Sequence, residues 1–193
     1  RLSAGIDVLD LGCGRGIALR MMAARYPRSR FLGLDLSPEA ITWARAQAAA
    51  DRLDNIRYEQ ADAAALPYER AFDFIVTFDA IHDQARPDIV LANLARALRP
   101  DGVYLMQDIR ASSYPHENVS HPAGPFLYTV SAMHCMTVSL AAGGLGLGAC
   151  WGRQLATRML ADAGFKSVRV EQLAHDFQNE YYIIRLSETD SAQ

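Results

Sequence analysis

Three aspartates follow the first three apolar runs of the chain, and the first of them stands just before a glycine-rich turn. Asp10 precedes Gly12-Cys13-Gly14-Arg15-Gly16, Asp35 ends the second run, and Asp62 follows the third. Open α/β sheets bind ligands beyond the carboxyl ends of their strands, so these groups would share one site. The glycines would let a ligand approach the backbone closely.

The glycine spacing argues against a dinucleotide site. The loop reads GxGxG, whereas a pyrophosphate-binding turn reads GxGxxG. A negative charge at Asp10 would repel a diphosphate but suits an ammonium or sulfonium group. Asp35 stands where a carboxylate binds both ribose hydroxyls, and Asp62 is placed to accept from an adenine amino group. The alternatives are a helix cap at Asp35 and a simple turn at Asp62.

His82 is the titratable group best placed for proton transfer, since it lies just past the fourth apolar run. An unperturbed histidine titrates near pH 6.5 and would accept a proton at neutral pH, with Asp83 as the group that orients it. The alternative is that His82 hydrogen-bonds a backbone carbonyl and packs under the ligand.

The spacing of cysteines and histidines predicts no metal centre and no disulfide scaffold. The three cysteines include no CxxC pair, which favours a reducing cytoplasm as the location. Four residues could be considered as metal ligands, namely His116, His121, His134 and Cys135. Their irregular spacing argues against a metal site. Cys13 is interpreted as a small packing residue, because no histidine lies near it in sequence to activate a thiol.

Apolar runs alternate with helical patterns, which is typical of a parallel α/β sheet. We predict seven strands, at residues 6–11, 30–35, 55–60, 72–78, 102–109, 167–172 and 180–186. The last two are separated by a connection too short for a crossover helix, so they must pair antiparallel. The sequence thus predicts one domain over residues 1–193, a doubly wound, mostly parallel sheet in a three-layer α/β/α arrangement with an antiparallel last strand.

Capping residues predict where the helices begin and end. Ser37 and Pro38 favour a helix start, and Pro87 begins another helix that reaches Leu98. The run Pro100-Asp101-Gly102 predicts a turn before the fifth strand. A later helix over residues 151–163 should end at Gly164 in a left-handed conformation.

Composition narrows the function classes. The 193 residues include 19 Lys+Arg and 22 Asp+Glu, a net charge of −3, with 50% hydrophobic and 21% charged residues. This is the composition of an ordinary soluble globular domain. The slight acidity and the lack of a Lys/Arg run argue against a nucleic-acid partner or an anionic membrane surface.

A long uncharged stretch lies within a predicted insert at residues 111–150. Residues 118–152 contain no Asp, Glu, Lys or Arg. Polar side chains and a glycine run argue against a membrane span, which leaves a pocket lid, a homodimer interface, both, or a core helix followed by a loop. For the lid, we predict a substrate wall formed by Phe126, Tyr128, Met133 and His134.

In their order along the chain, these segments resemble class I S-adenosylmethionine-dependent methyltransferases. The matching segments are the glycine loop, Asp35 and residues 60–63, 72–79 and 98–102. The resemblance implies S-adenosylmethionine as cofactor, S-adenosylhomocysteine as product, and a seven-stranded sheet with a reversed last strand. Residues 81–84 and the uncharged insert further resemble a bacterial subgroup with an N-terminal winged-helix-like dimerisation region, which would then lie outside this chain and complete the substrate site.

The resemblance also implies roles for individual residues. Gly12, Cys13 and Gly14 would lie along the methionine part of the cofactor, and the charge of Asp10 suits its ammonium or sulfonium group. Asp35 and Leu36 would hold the ribose, and Asp62 and Ala63 the adenine. Phe78 and Asp79 would lie near the transferred methyl group.

We expect a small, largely apolar molecule with an oxygen, nitrogen or sulfur nucleophile as the methyl acceptor. Methylation of exocyclic or side-chain amide nitrogens usually requires an Asn/Asp-Pro-Pro-aromatic run, but Phe78-Asp79-Ala80-Ile81 stands there. No cysteine is present nearby for methylation at cytosine C5. The alternative is a non-catalytic, cofactor-binding regulatory domain of a larger, DNA-binding protein.

Overall fold

The computed structural model describes residues 1–188, which contain one seven-stranded sheet of order β3-β2-β1-β4-β5-β7-β6. The strands are β1 (Asp7–Leu11), β2 (Arg30–Asp35), β3 (Ile56–Gln60), β4 (Phe72–Phe78), β5 (Leu98–Ile109), β6 (Ser167–Glu171) and β7 (Asn179–Arg185). The first five strands are parallel to one another. Strand β7 pairs antiparallel with both β5 and β6, which confirms the predicted reversed last strand.

Helices cover both faces of the sheet. They are α1 (Ile17–Arg25), α2 (Pro38–Ala50), α3 (Pro87–Ala97), α4 (Gly124–Val130), α5 (Met136–Ala141) and α6 (Gly152–Asp162). Buried side chains of α1 and α2 pack in one core cluster with β1, β2 and β3, while those of α3 and α6 pack in another with β4, β5 and β7. The result is the predicted three-layer arrangement.

Local signals account for several of the helix ends. The Ser37 hydroxyl accepts a hydrogen bond from the Ala40 amide at 3.2 Å, as expected of a helix N-cap. Helix α6 is followed by Gly164, whose φ of +102° lies in the left-handed region. The predicted starts of α2 and α3 and the glycine after α6 are therefore confirmed.

The start of β5 differs from the prediction. The strand begins at Leu98 rather than at Gly102, and helix α3 ends one residue earlier, at Ala97. Leu98 already pairs with Phe72, and the register then shifts before the next pair, Phe74 with Val103. The predicted turn at residues 100–102 is thus an irregularity within β5, where a proline without an amide hydrogen can be accommodated.

The uncharged stretch forms two short helices joined by a π-helical turn, Ser131–Cys135. Within its helical segment, residues 124–141, the buried side chains recur every four residues, at Leu127, Ser131, Cys135 and Ser139. The helical segment stops at Ala141, before the glycine run, as predicted. Among residues 1–188, no helix has both the length and the apolar character needed to cross a bilayer.

Candidate active site

A cavity of about 490 Å³ opens at the carboxyl ends of β1, β2 and β3. Five of the residues predicted to bind the cofactor line it, namely Gly12, Asp35, Leu36, Asp62 and Ala63, and so does Asp83, which was predicted beside His82. The opposite side is formed by residues that follow β4 and by the end of helix α5, namely Asp83, Gln84, Ala85, Arg86, Val138, Ser139 and Ala142. The structure therefore gathers the aspartates of β2 and β3 and the glycine loop at one ligand-sized cavity.

The glycine loop is fixed against the neighbouring strand. The amides of Gly12 and Cys13 both donate to the Leu34 carbonyl, at 2.8 and 3.0 Å. Gly12 has a φ of +73°, and a Cβ atom there would lie 2.5 Å from the Cβ of Ala80. Only glycine fits this backbone conformation and this close approach.

Asp35 holds the loop and faces the cavity at once. Its Oδ2 accepts from the Gly14 amide at 2.8 Å, and its Oδ1 accepts from the Ser37 amide at 2.9 Å. Each carboxylate oxygen can accept a further hydrogen bond from a ligand hydroxyl. Asp62 is arranged similarly, since its Oδ1 accepts from the Ala64 amide at 2.8 Å while the carboxylate keeps capacity to accept from a ligand.

Asp10 lies beneath the loop rather than at the cavity wall. It is only 2% exposed, and burial, with the Asp35 carboxylate nearby, raises the pKa of Asp10 to about 7. Without a ligand, Asp10 is therefore partly neutral at pH 7, in contrast to the full negative charge expected from the sequence. A cation bound close to it would favour the ionised form.

Replacing Asp10 with asparagine should stabilise the ligand-free fold at high pH. An aspartate whose folded-state pKa lies above the unfolded value destabilises the fold as pH rises between the two values, and the penalty is complete above about pH 7. Asp10→Asn should therefore raise the free energy of unfolding by about 1–3 kcal/mol at pH 8 and by little at pH 4.

Denaturant unfolding of both proteins at the two pH values measures this difference. Asp54→Asn serves as the control, because it makes the same change of side chain at an exposed position. An equal gain from Asp10→Asn at pH 4 and pH 8 would contradict the account, because the benefit must follow the charge of the carboxylate.

His82 is buried and is held between carboxylates. Its Nδ1 lies 2.7 Å from Asp108 Oδ1, and its Nε2 lies 3.4 Å from Asp83 Oδ1. Burial alone would lower the pKa of His82, but the hydrogen bond with Asp108 and the charges of Asp108, Asp83 and Asp79 raise it to about 9. The expectation of a histidine titrating near pH 6.5 is thus wrong for this environment, and Asp108 rather than Asp83 makes the hydrogen bond that orients the ring.

Asp79 occupies a backbone conformation that is rare for residues other than glycine, with a φ of +49°. Gln107 holds it twice, because the Asp79 amide donates to the Gln107 carbonyl and the Gln107 amide group donates to Asp79 Oδ1, both at 3.1 Å. Such conformations persist where surrounding contacts enforce them, often at functional sites. Phe78 is half-buried at the end of β4 beside it, and neither residue lines the cavity itself.

Neither cysteine near the site is a thiolate nucleophile. Burial, with Asp10 and Asp35 nearby, raises the pKa of Cys13, which fits the interpretation of Cys13 as a packing residue. Burial and the nearby Asp83 carboxylate raise the pKa of Cys135 to about 12. A thiol in such surroundings stays protonated at neutral pH.

The predicted substrate wall does not line the cavity. Phe126 and Met133 are 63% and 78% exposed, and His134 is exposed as well. Tyr128 also lies at the surface, where its hydroxyl accepts from Asn118 Nδ2 at 2.9 Å. Small side chains occupy most of the inward-facing side of this helical segment, and the large side chains project outward. The residues of this part of the chain that do line the cavity include Val138 and Ala142.

The end of this segment is docked onto the residues after β4. The Ser139 hydroxyl donates to the Gln84 carbonyl and accepts from the Gly146 amide, both at 3.1 Å, and the Leu145 amide donates to the Ala85 carbonyl at 2.9 Å. Gly144 packs so closely that a Cβ atom there would lie 2.5 Å from Ala85 Cα. These contacts fix one wall of the cavity.

Ser139→Ala should destabilise the protein by about 1–3 kcal/mol, because it leaves a partly buried carbonyl and a partly buried amide without their partner. Thr137→Ala is the matched control, since the exposed Thr137 hydroxyl donates only to the nearby His134 carbonyl. Urea unfolding of the two variants compares them directly, and equal losses would show that the docking contact contributes nothing beyond a local hydrogen bond.

Two features of the site, the Asp108 carboxylate and the approach of Cys135 to Asp83, were not predicted from the sequence. Asp108 carries the same signal as Asp35, a carboxylate at the carboxyl end of an apolar run, and was missed because it precedes Ile109 inside the strand. Nothing in the sequence signalled the approach of Cys135 to Asp83, since the two belong to separate elements.

Comparisons with known proteins find similarity to methyltransferases. A family model described as a methyltransferase domain matches residues 2–169. The chain is 37% identical over 106 residues to a trans-aconitate 2-methyltransferase of Methylobacterium nodulans, covering 55% of this chain and 39% of that protein. It is 32% identical over 107 residues to a fatty-acid O-methyltransferase of Mycolicibacterium smegmatis, covering 55% and 38%.

The aligned region spans about two fifths of the length of these curated relatives. Among solved structures, the trans-methyltransferase CalH in complex with SAH superposes with a TM-score of 0.71 at 21% identity, covering 96% of this chain and 52% of that chain. At this identity the similarity shows a shared fold.

Proposed function

The chain belongs to the class I S-adenosylmethionine-dependent methyltransferase domains, and on that premise we propose that it transfers a methyl group from S-adenosylmethionine to a small, largely apolar molecule. The observation that carries the proposal is the cavity at the ends of β1, β2 and β3, where the glycine loop, Asp35 and Asp62 meet.

The residues present fit the cofactor. Gly12 admits a ligand against the backbone, because its position leaves no room for a side chain. Asp35 retains acceptor capacity for the ribose hydroxyls, and Asp62 retains the same capacity for the adenine amino group. Leu36 and Ala63 supply apolar contacts on either side. We assign the negative charge for the cationic sulfonium to Asp10, which lies beneath the loop.

When bound, S-adenosylmethionine would supply an electrophilic methyl group on a sulfonium sulfur. The protein's own contribution is to hold the acceptor in line with that group, and positioning supplies most of the rate in such displacements. Asp79, held by Gln107, and His82, held by Asp108, fix the end of the site where we place the acceptor. We propose that His82 and Asp83 contact the acceptor atom and orient it toward the methyl group.

The cavity wall supports an apolar acceptor, and the relatives support a small one. Val90, Val138 and Ala142 give one side of the cavity an apolar surface, which suits a largely apolar molecule. The two curated relatives are named for small acceptors, trans-aconitate and a fatty acid. We place residues 111–150 over this cavity as a lid, because the end of helix α5 already forms one of its walls.

Release of S-adenosylhomocysteine tests this function. The full-length protein should release it during incubation with S-adenosylmethionine and at least one member of a panel of apolar phenols, thiols, amines and carboxylic acids. A protein that binds S-adenosylhomocysteine but turns over no panel member would instead support the alternative, a regulatory domain that binds the cofactor without catalysis.

A further inference from the structure

His82, Asp83 and Cys135 bring a nitrogen, an oxygen and a sulfur atom together from two separate parts of the chain. One ligand atom from each lies within 4.8 Å of the other two. His82 and Cys135 are buried and Asp83 is half-buried, so the three atoms meet under the surface next to the cavity that Asp83 lines. Cys135 ends the π-helical turn, and such turns are frequent at functional sites.

The orientation of His82 selects this group over a second one nearby. Asp79, His82 and Asp108 also approach one another, but His82 Nδ1 is already engaged by Asp108 at 2.7 Å. That hydrogen bond leaves Nε2, the atom that faces Asp83, as the ring nitrogen on which a metal ion can replace the proton. Histidines that bind a metal ion usually donate their other ring N–H to a carboxylate in this way, which fixes the ring and makes the ligating nitrogen more basic.

The distance between His82 Nε2 and Asp83 Oδ1 fits a shared ion better than a hydrogen bond. Asp83 Oδ1 is buried but has no hydrogen-bond partner of normal geometry among residues 1–188. It lies 3.4 Å from His82 Nε2, whereas N–H···O bonds are about 2.9–3.0 Å long. Two ligand atoms at about 2.0–2.1 Å from a tetrahedral Zn²⁺ lie about 3.3–3.4 Å apart.

We propose that His82 Nε2, Asp83 Oδ1 and Cys135 Sγ bind one Zn²⁺ ion, with Asp108 as the outer carboxylate. Nitrogen, oxygen and sulfur ligands together suit zinc, and three protein ligands leave a fourth position open, as in catalytic zinc sites. The surplus of carboxylates around His82 supplies the negative charge that a divalent cation needs. The bound ion would deprotonate the Cys135 thiol.

The open position defines an acceptor class, and this step rests on the proposed function. A thiol or hydroxyl of the acceptor would bind the ion and release its proton to solvent, since the ion lowers its pKa. The lone pair of that sulfur or oxygen then forms the bond to the methyl carbon, while the carbon–sulfur bond of the sulfonium breaks and leaves its electron pair on sulfur. Zinc binding itself does not depend on this step.

Metal binding is measured on the tag-free full-length protein without any acceptor. After dialysis against Zn²⁺ and removal of the excess, elemental analysis should find about one Zn²⁺ per chain. Replacement by Co²⁺ should give the visible bands of a tetrahedral ion and a sulfur-to-cobalt charge-transfer band. Cys135→Ala should abolish that band, while Cys150→Ala, in the same uncharged stretch, should leave it unchanged.

A second variant tests the site without removing any of the three ligands, in case Cys135→Ala does not fold. Asp108→Asn keeps all three ligands and should weaken Zn²⁺ binding about 10- to 100-fold. A wild-type protein that binds no stoichiometric Zn²⁺, or a cobalt spectrum without the charge-transfer band, overturns the proposal. Either failure is distinguishable from failure of the proposed function, because binding of S-adenosylhomocysteine by the metal-free protein reports on the glycine loop and Asp35 alone.

Discussion

Asp35→Ala is expected to weaken binding of S-adenosylhomocysteine by about 1–3 kcal/mol, which is about 5- to 150-fold. The carboxylate of Asp35 would accept from the ribose hydroxyls, and it also accepts from the amides of Gly14 and Ser37. The variant therefore removes a charged acceptor from the ligand and loosens the loop that lies against the ligand. Isothermal titration calorimetry measures both the affinity and the enthalpy of binding.

Asp35→Asn separates the two contributions. The asparagine oxygen can still accept one backbone amide, so the loop should stay closer to its wild-type position while the charge is lost. We expect an affinity between those of the wild type and Asp35→Ala. If Asp35→Ala binds S-adenosylhomocysteine as tightly as the wild type does, Asp35 is only a helix-capping residue and the ribose must lie elsewhere.

His82→Asn should lower turnover about 10²- to 10⁴-fold and leave the affinity for S-adenosylhomocysteine nearly unchanged. His82 does not line the cavity, yet its Nε2 faces Asp83 at the end of the site where we place the acceptor. The substitution removes the ring nitrogen that acts there, while a smaller amide retains a hydrogen-bonding group toward Asp108. Initial rates with the best acceptor of the panel, together with calorimetry, give both quantities.

The role of His82 follows from comparing the change in turnover with the change in cofactor affinity. A variant that turns over at the wild-type rate makes His82 a structural residue that connects Asp108 to the residues after β4. A variant that loses cofactor affinity along with turnover makes it part of the cofactor pocket. Thermal unfolding of the same sample shows whether the buried cluster has survived the substitution.

The sheet could be predicted from the sequence because its signals are local. The apolar runs marked all seven strands, and the short connection between β6 and β7 was enough to reverse the last strand. The start of β5 was misplaced because Leu98 pairs with Phe72 before the chain reaches the turn signal at residues 100–102. Pairing between distant residues decided that boundary, and no local pattern reports it.

The site could be predicted only in part, for the same physical reason. Gly12, Asp35 and Asp62 follow their strands directly, so the fold alone brings them together. The side of the helical segment that packs inward was misjudged, since large apolar residues such as Phe126 and Met133 were expected to face a ligand but project outward. The pKa of His82 depends on Asp108 on the neighbouring strand β5, and the spacing of the two residues along the chain does not reveal that contact.

We propose that the cavity at the glycine loop holds the nucleoside of S-adenosylmethionine. Calorimetric titration of the wild-type protein with S-adenosylhomocysteine and, separately, with NAD tests this directly. We expect saturable binding of S-adenosylhomocysteine at one site per chain and no binding of NAD, because the loop has GxGxG spacing and Asp10 lies beneath it. Equal affinity for the two ligands, or binding of NAD alone, would contradict it.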